Sequence, residues 1–401
     1  MGSAQENIVA CFGGGQLGRM LAMAGHRIGI NVRCMDPSPD ACAGQVGATL
    51  FGGSYTDETD VFRFLEGARV ATYEFENVPG IVGDFAERKN VPFRPSAQAL
   101  RIAQDRSNEK QFARGLGCKV PKYAYINGLQ DIGPALEAAG LPAILKTRSG
   151  GYDGKGQVRI ERAIDLFNAV DHMGPGLILE EEVRFRAEWS QISVRGLDGE
   201  IAHYPPIENS HKNGILRVSR VDVEPDHRVS PRKVALIREA QRISTAMMLH
   251  LDYVGVFTIE LFERENFKGD EAAGELLVNE IAPRVHNSGH WTIDAEVTSQ
   301  FENHLRAILG LKLGATVPRV GYIGMVNLVG MWEEPERLID TLGSGALHLY
   351  GKEHRPGRKI GHYTTAQVSN REAREADIAY LHRQTKFRRA KGKLGEFEGL
   401  V

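Results

Sequence analysis

Two apolar runs in this chain each carry one carboxylate where a strand core should hold none. They are Val254-Gly255-Val256-Phe257-Thr258-Ile259-Glu260-Leu261-Phe262 and Leu276-Leu277-Val278-Asn279-Glu280-Ile281-Ala282. A charged, glycine-containing insertion, Glu263 to Glu275, separates them, so the two runs read as an antiparallel hairpin with an exposed tip. A buried carboxylate without a partner is costly, so Glu260 and Glu280 require a cation. Carboxylates completed by substrate phosphates are the usual way to hold magnesium at a phosphoryl-transfer site. The competing reading is a buried salt bridge to Arg284 or Lys146.

The phosphate has a candidate host upstream. Leu141 to Leu145 and Gln157 to Ile160 read as short strands, with a glycine-rich hairpin between them and Lys146 at the end of the first. Gly151, Gly154 and Gly156 permit close backbone approach to an anion, and Lys146 and Lys155 add positive charge. The loop, Gly151-Tyr152-Asp153-Gly154-Lys155-Gly156-Gln157, then acts as a flap. Alone it could be only a tight hairpin; the downstream carboxylates favour the phosphate.

The N-terminus presents a second glycine loop. Asn7 to Phe12 reads as a buried strand, Gly13-Gly14-Gly15-Gln16-Leu17-Gly18 as a turn into a helix, and Ile28 to Met35 as a second strand ending at Asp36. This half-Rossmann pattern has the glycine spacing and trailing acid of a dinucleotide site. It equally serves close helix–sheet packing with a loop that touches another substrate, and that is the reading preferred here. Val70 to Glu76 is a further strand carrying Glu74 and Glu76, either of which could meet a substrate amine or hydroxyl.

Other candidates are weaker singly. Arg106 sits at a domain junction, and the acidic connection Glu180-Glu181-Glu182-Val183 could pair its backbone with an adenine edge, with Glu188 on the ribose and His211 on the phosphates. Arg284 to Thr292 is polar and turn-like directly after the second carboxylate strand. Lys352, Arg358 and Lys359 form a basic turn suited to a phosphate monoester.

Composition excludes several classes. The 401 residues are 42% hydrophobic and 25% charged, ordinary for two or three globular domains, and a net charge of −2 gives no general attraction for nucleic acid or membrane. No apolar run approaches a membrane span and the first residues lack a secretory pattern, so a cytoplasmic protein is expected. Cys11, Cys34, Cys42 and Cys118 show no metal-ligand spacing and read as core residues.

Together the lysine strand, glycine flap, acidic connection and two glutamate strands resemble the ATP-grasp superfamily. The strings Gly13-Gly-Gly-Gln-Leu-Gly-Arg-Met20, Tyr73-Glu-Phe-Glu-Asn-Val78, Ser149-Gly-Gly-Tyr-Asp-Gly-Lys-Gly156, Asn279-Glu-Ile-Ala-Pro-Arg284 and His286-Asn-Ser-Gly-His290 resemble, within it, the N5-carboxyaminoimidazole ribonucleotide synthetase family. The resemblance implies an α/β and α+β chain: a half-Rossmann pre-ATP-grasp domain over 1–105, an ATP-grasp domain over 106–310 with its flap subdomain near 119–185, a small β-rich C-terminal domain over 311–386, and a flexible tail over 387–401.

It also implies a reaction. ATP phosphorylates bicarbonate to carboxyphosphate, which carboxylates the exocyclic amine of 5-aminoimidazole ribonucleotide in purine biosynthesis. By the same resemblance Arg106, Lys146, Gly151 to Gln157, Glu180 to Val183, Glu188, His211, Asn279 and Glu280 surround ATP, and Glu260 and Glu280 hold Mg2+. Gln16, Leu17, Glu76, Asn287, Lys352, Arg358 and Lys359 surround the ribonucleotide. Lys146, Tyr152, Asp153, Arg284 and His286 lie where the reacting groups meet. A homodimer is expected, with small molecules as the other partners. Ala282 stands where many ATP-grasp enzymes have a metal-ligating asparagine, which leaves a second magnesium open. The alternatives are a formate-dependent glycinamide ribonucleotide transformylase, an NAD-dependent dehydrogenase and a non-catalytic nucleotide sensor.

Overall fold

In the computed structural model the described residues are 7–151, 154–223, 229–265, 275–319, 321–330, 339–340, 344–365 and 370–389, with side chains described as far as 381. The first sheet contains β1 (Ile8–Phe12), β2 (Asn31–Met35), β3 (Thr49–Phe51) and β4 (Val70–Tyr73), all parallel in the order β3-β2-β1-β4. Every residue of β1 and β4 is buried, as expected where helices cover both faces of a parallel sheet. β2 begins three residues later than its apolar pattern predicts. The Ile28 and Ile30 N–H groups still bond the Gly25 carbonyl, closing the preceding helix before the strand can start.

A second sheet holds β5 (Tyr123–Ile126), β6 (Ala143–Thr147), β7 (Gln157–Ile160) and β8 (Leu177–Glu181), antiparallel in the order β5-β8-β6-β7. Helices Ile132–Ala139 and Ala163–Met173 pack on it around Ile126, Leu145, Leu166 and Leu179. The predicted hairpin of β6 and β7 forms, with Lys146 opposite Gln157.

The third sheet is the largest. It comprises β9 (Phe185–Arg195), β10 (Ile201–His203), β11 (Ile207–Lys212), β12 (Ile215–Asp222), β13 (Gly255–Arg264), β14 (Glu275–Ala282), β15 (Tyr322–Val329), β16 (Ala346–Leu349) and β17 (Lys359–Thr364). Its order is β14-β13-β9-β11-β12-β15-β17-β16, with β10 paired to β9. The C-terminal strands thus extend this sheet rather than building one of their own. Behind it runs the helix Pro231–His250, whose start is set by Ser230 accepting from the Lys233 N–H and by proline in the first turn.

β13 and β14 are the two carboxylate strands, and the insertion is shorter than expected because they extend to Arg264 and from Glu275; residues 266–274 lie outside the described residues. The C-terminal helix reaches the first residues of the expected tail. Residues 387–389 continue the helix Arg371–Arg389, whose Ile378 and Leu381 pack on Val218 and Val326 of the sheet, and the rest of the tail lies outside the described residues. All four cysteines are buried and unpaired, and among the described residues no helix is long and apolar enough to cross a membrane.

Candidate active site

A cavity of about 1010 Å3 opens where the three sheets meet. Its floor carries the two glutamates. Glu260 on β13 faces Glu280 on β14 directly across the ladder, and opposed residues of an antiparallel pair put their side chains within contact range. Burial, then the charge of Glu280, pushes the Glu260 carboxyl up to about 7. One of the two acids has a cation: Arg106 Nη1 stands 3.3 Å from Glu280 Oε2. The neighbour of Glu260 is His286 Nε2 at 3.4 Å, which burial and the charges of Arg284 and Lys359 hold neutral. Beside them the Asn279 side-chain oxygen is buried with no hydrogen-bond partner. Two like-charged carboxylates and an orphaned amide oxygen make a hard donor set short of positive charge, and this fits magnesium.

The salt bridges weighed as the bland alternative do not form. Arg284 gives its guanidinium to Glu76 and to the Val285 carbonyl at 3.0 Å, while Lys146 goes to Glu180. Arg284 and Glu76, predicted for separate roles, therefore neutralise each other at the cavity wall.

The phosphate wall is built on β6. Lys146 Nζ lies 3.0 Å from Glu180 Oε2, and the same oxygen is 3.4 Å from Lys110 Nζ. Burial raises the Glu180 carboxyl, but Lys110 and Lys146 more than offset this and hold it at about 2. Burial in turn pushes the Lys146 ammonium down against the pull of Glu180. Gly151, Gly154, Lys155 and Gln157 line the cavity above. Gly154 has a φ of +77°, and a Cβ there would stand 2.7 Å from the Asn213 carbonyl oxygen, so the flap comes down onto the β11–β12 turn only because this residue is glycine. Gly156 instead closes the hairpin, its carbonyl accepting from the Thr147 N–H at 2.8 Å. Tyr152 and Asp153 lie outside the described residues.

The acidic connection stands apart from the residues that line this cavity. Glu180 to Val183 do not line this cavity. The Glu180 side chain is spent on two lysines, and the Glu181 and Glu182 N–H groups already donate to the carbonyls of Lys122 (2.9 Å) and Pro142 (3.1 Å). Those two donors are not available to a base edge, whereas the Val183 N–H makes no such backbone bond among the described residues. Glu188 and His211 do line the cavity, paired at 2.6 Å; burial lowers the imidazole's proton affinity, but the Glu188 hydrogen bond and nearby Glu260 raise it overall.

On the opposite wall the N-terminal helix meets the C-terminal strands. Lys352 Nζ donates to Gln16 Oε1 at 2.7 Å, and Leu17, Arg358 and Lys359 line the same face. Asn287 reaches the cavity, but its amide exchanges two hydrogen bonds with Asn327, at 3.0 and 2.8 Å. The N-terminal glycine loop holds no nucleotide phosphate, because the protein's own acids fill its anion site. Glu74 accepts from the N–H groups of Gly15 at 2.6 Å and Gly18 at 2.5 Å, and Asp36 accepts from Gly14 at 2.8 Å. A dinucleotide would find both its pyrophosphate and ribose positions taken, which removes the dehydrogenase reading and any substrate role for Glu74 through these oxygens.

The three parts of the chain match three domain families in order: the ribonucleotide synthetase preATP-grasp domain over residues 7–104, the ATP-grasp domain over 111–301 and the phosphoribosylaminoimidazole carboxylase C-terminal domain over 324–376. The N5-carboxyaminoimidazole ribonucleotide synthase of Pseudomonas aeruginosa is 41% identical over 372 residues, covering 92% of this chain and 97% of that protein. The chain belongs to the N5-carboxyaminoimidazole ribonucleotide synthases. The synthetase crystal structure from Thermus thermophilus superposes with a TM-score of 0.83 at 45% identity, over 94% of this chain and 98% of that one. The synthase of Aspergillus clavatus, solved with ADP and 5-aminoimidazole ribonucleotide, gives 0.82 at 28% identity over 94% and 99%.

In this synthase several residues that shape the site carried no sequence signal. Glu109 and Lys110, on the polar helix Arg106–Gly115, are buried. Lys110 donates to the Asn279 carbonyl at 2.6 Å and Glu109 accepts from the Ile281 N–H, so both brace β14 from behind. Phe262, stacked on Phe185 at 4.9 Å, supplies an apolar cavity surface that reads in the sequence only as strand core.

Proposed function

We propose that this chain carboxylates the exocyclic amine of 5-aminoimidazole ribonucleotide with ATP and bicarbonate, through carboxyphosphate, as a step of purine biosynthesis. The observation that carries the reading is one cavity with two chemically different walls. Lys146, the flap and the Glu260–Glu280 floor suit a nucleoside triphosphate, and the Lys352, Arg358 and Lys359 face suits the ribonucleotide's 5′-phosphate. Glu260, Glu280 and Asn279 would hold Mg2+, which when bound offsets charge on the β- and γ-phosphates.

The chain's own residues orient and shield. Lys146, fixed by Glu180, offsets γ-phosphate charge while a bicarbonate oxygen attacks phosphorus and ADP leaves. The flap, closing onto the Asn213 turn, keeps water from carboxyphosphate until it breaks to phosphate and CO2. Attack of the amine on that carbon then releases one proton, which the phosphate just formed takes up, and His286 at the cavity floor stays neutral beside the reacting groups. Arg284 reaches an anion only if Glu76 yields it, so we assign the Glu76–Arg284 pair to substrate-linked exchange: Glu76 turns to the ribonucleotide and Arg284 to the bicarbonate-derived group. A homodimer and a cytoplasmic setting belong to the same proposal; light scattering tests the first.

The deciding experiment measures ADP release with ATP and magnesium, pairing bicarbonate or formate with aminoimidazole or glycinamide ribonucleotide. Turnover is expected only with bicarbonate plus aminoimidazole ribonucleotide. A formate and glycinamide requirement would move the chain to the transformylase reaction, and nucleotide binding without turnover to a sensor.

A further inference from the structure

Away from the cavity, a second pair of cross-strand residues faces a third group. His348 on β16 and His362 on β17 are register partners, and their rings stack with centroids 4.5 Å apart and planes 7° from parallel. The helix Thr292–Ala295 presents Asp294 to them, with His348 Nε2 at 3.0 and 3.1 Å from the two carboxylate oxygens. One donor atom from each of Asp294, His348 and His362 lies within 4.8 Å of the others. None of the three lines the catalytic cavity.

The environment leaves donor atoms idle. His362 is fully buried; its Nδ1 bonds the Tyr350 hydroxyl at 2.8 Å, and its Nε2 has no partner. His290, also fully buried, packs 4.9 Å from His362 with both ring nitrogens unpartnered. Unsatisfied buried nitrogens cost free energy and call for an explanation such as an ion. An imidazole with one nitrogen held by a neighbour and the other vacant is also how proteins orient a metal-binding histidine.

We propose that Asp294, His348 and His362 bind a divalent transition-metal ion of the zinc class. Mixed imidazole and carboxylate donors select such ions over magnesium, which the all-oxygen floor of the catalytic cavity takes instead. Ligands of a tetrahedral ion stand roughly 3.3 Å apart, given metal–donor bonds of about 2 Å. The partly exposed Asp294 and His348 side chains close that gap by rotating. Binding replaces the His348–Asp294 hydrogen bond with two metal bonds, and any proton it held leaves to solvent. The ion ties the helix Thr292–Ala295 to the β16–β17 ribbon, whose connecting turn carries Lys352 and Arg358, so it braces the basic wall of the cavity from behind.

The test uses the full-length untagged protein, stripped with chelator and kept in excess magnesium, titrated with Co2+ and then Zn2+. One Co2+ per chain with the visible absorption of a four- or five-coordinate nitrogen–oxygen site is expected, displaced by Zn2+. His348→Gln and Asp294→Asn each weaken binding at least roughly tenfold, while Glu260→Gln leaves it intact. A missing absorption band, a band that survives both variants, or one lost with Glu260→Gln overturns the proposal. Should the variants fail to fold, the wild-type protein still decides: Zn2+ in the presence of magnesium raises its melting temperature if the site exists, and no rise sinks it.

Discussion

Two glycine-rich loops in this chain advertise the same chemistry and use it differently. The N-terminal loop, Gly13 to Gly18, turns a strand into a helix and aims backbone N–H groups at a single point; Glu74, 56 residues beyond Gly18, occupies that point with a carboxylate. In the flap loop, Gly150 to Gly156, no carboxylate among the described residues accepts from the glycine N–H groups. Its glycines border a cavity beside Lys146, while Glu180, the acid nearest that lysine, is drawn back by Lys110. The same backbone property thus serves packing in one region and ligand binding in the other. What separates them is whether the fold supplies its own anion.

That contrast can be broken at either loop. The largest effect is expected at the flap: Lys146→Met should lower kcat/KM for ATP roughly 1,000-fold, about 4 kcal/mol of lost transition-state stabilisation, measured well below an unfolding midpoint that itself falls because buried Glu180 loses one of its two lysines. Steady-state ADP release checks it, and a drop under tenfold would mean that the flap lysine is as structural as Glu74.

Next comes the acid behind that lysine. The shift of Glu180 from 4.5 to about 2 is worth about 3 kcal/mol of stability. Because its folded pKa is depressed, this contribution is fully present above pH 4.5 and is lost as pH falls through 2. Urea unfolding at successive pH values should show the wild type losing stability in that window relative to Glu180→Gln, which has no carboxyl to titrate. Parallel pH curves for the two proteins would refute the network.

Glu74→Gln probes the other loop. It leaves an acceptor at only one of the two N–H groups, and the expected cost is about 1–3 kcal/mol of stability with the KM for ATP unchanged. Calorimetry and ATP kinetics separate the two readouts; a changed ATP affinity would put the N-terminal loop in the nucleotide site. The smallest effect should follow Gly154→Ala, where positive φ costs an alanine about 1–2 kcal/mol and the flap loses its approach to Asn213. A several-fold higher KM for ATP with a melting temperature lowered by roughly a few degrees is expected. A change in stability alone would show that the turn matters to folding rather than to closure.

Much of this molecule was legible because its signals are local. The apolar runs of β1, β6, β13 and β14, the punctuation of Gly150 to Gly156, and the single acids Glu260 and Glu280 all follow from the cost of burying charge and from strand periodicity. The sequence by itself therefore determined the strands, the flap and the need for a cation at the paired glutamates, which proved to be register partners. Only the tertiary structure decided which charge answers which. Arg284 could have gone to Glu280 but went to Glu76; Lys110, on a polar helix, is fully buried beside Glu180; the N–H groups of Glu181 and Glu182 went to the carbonyls of Lys122 and Pro142. Ion pairing depends on distances between segments tens to hundreds of residues apart, and a linear pattern carries no such distances. The fold sets them, and with them which anion each loop receives.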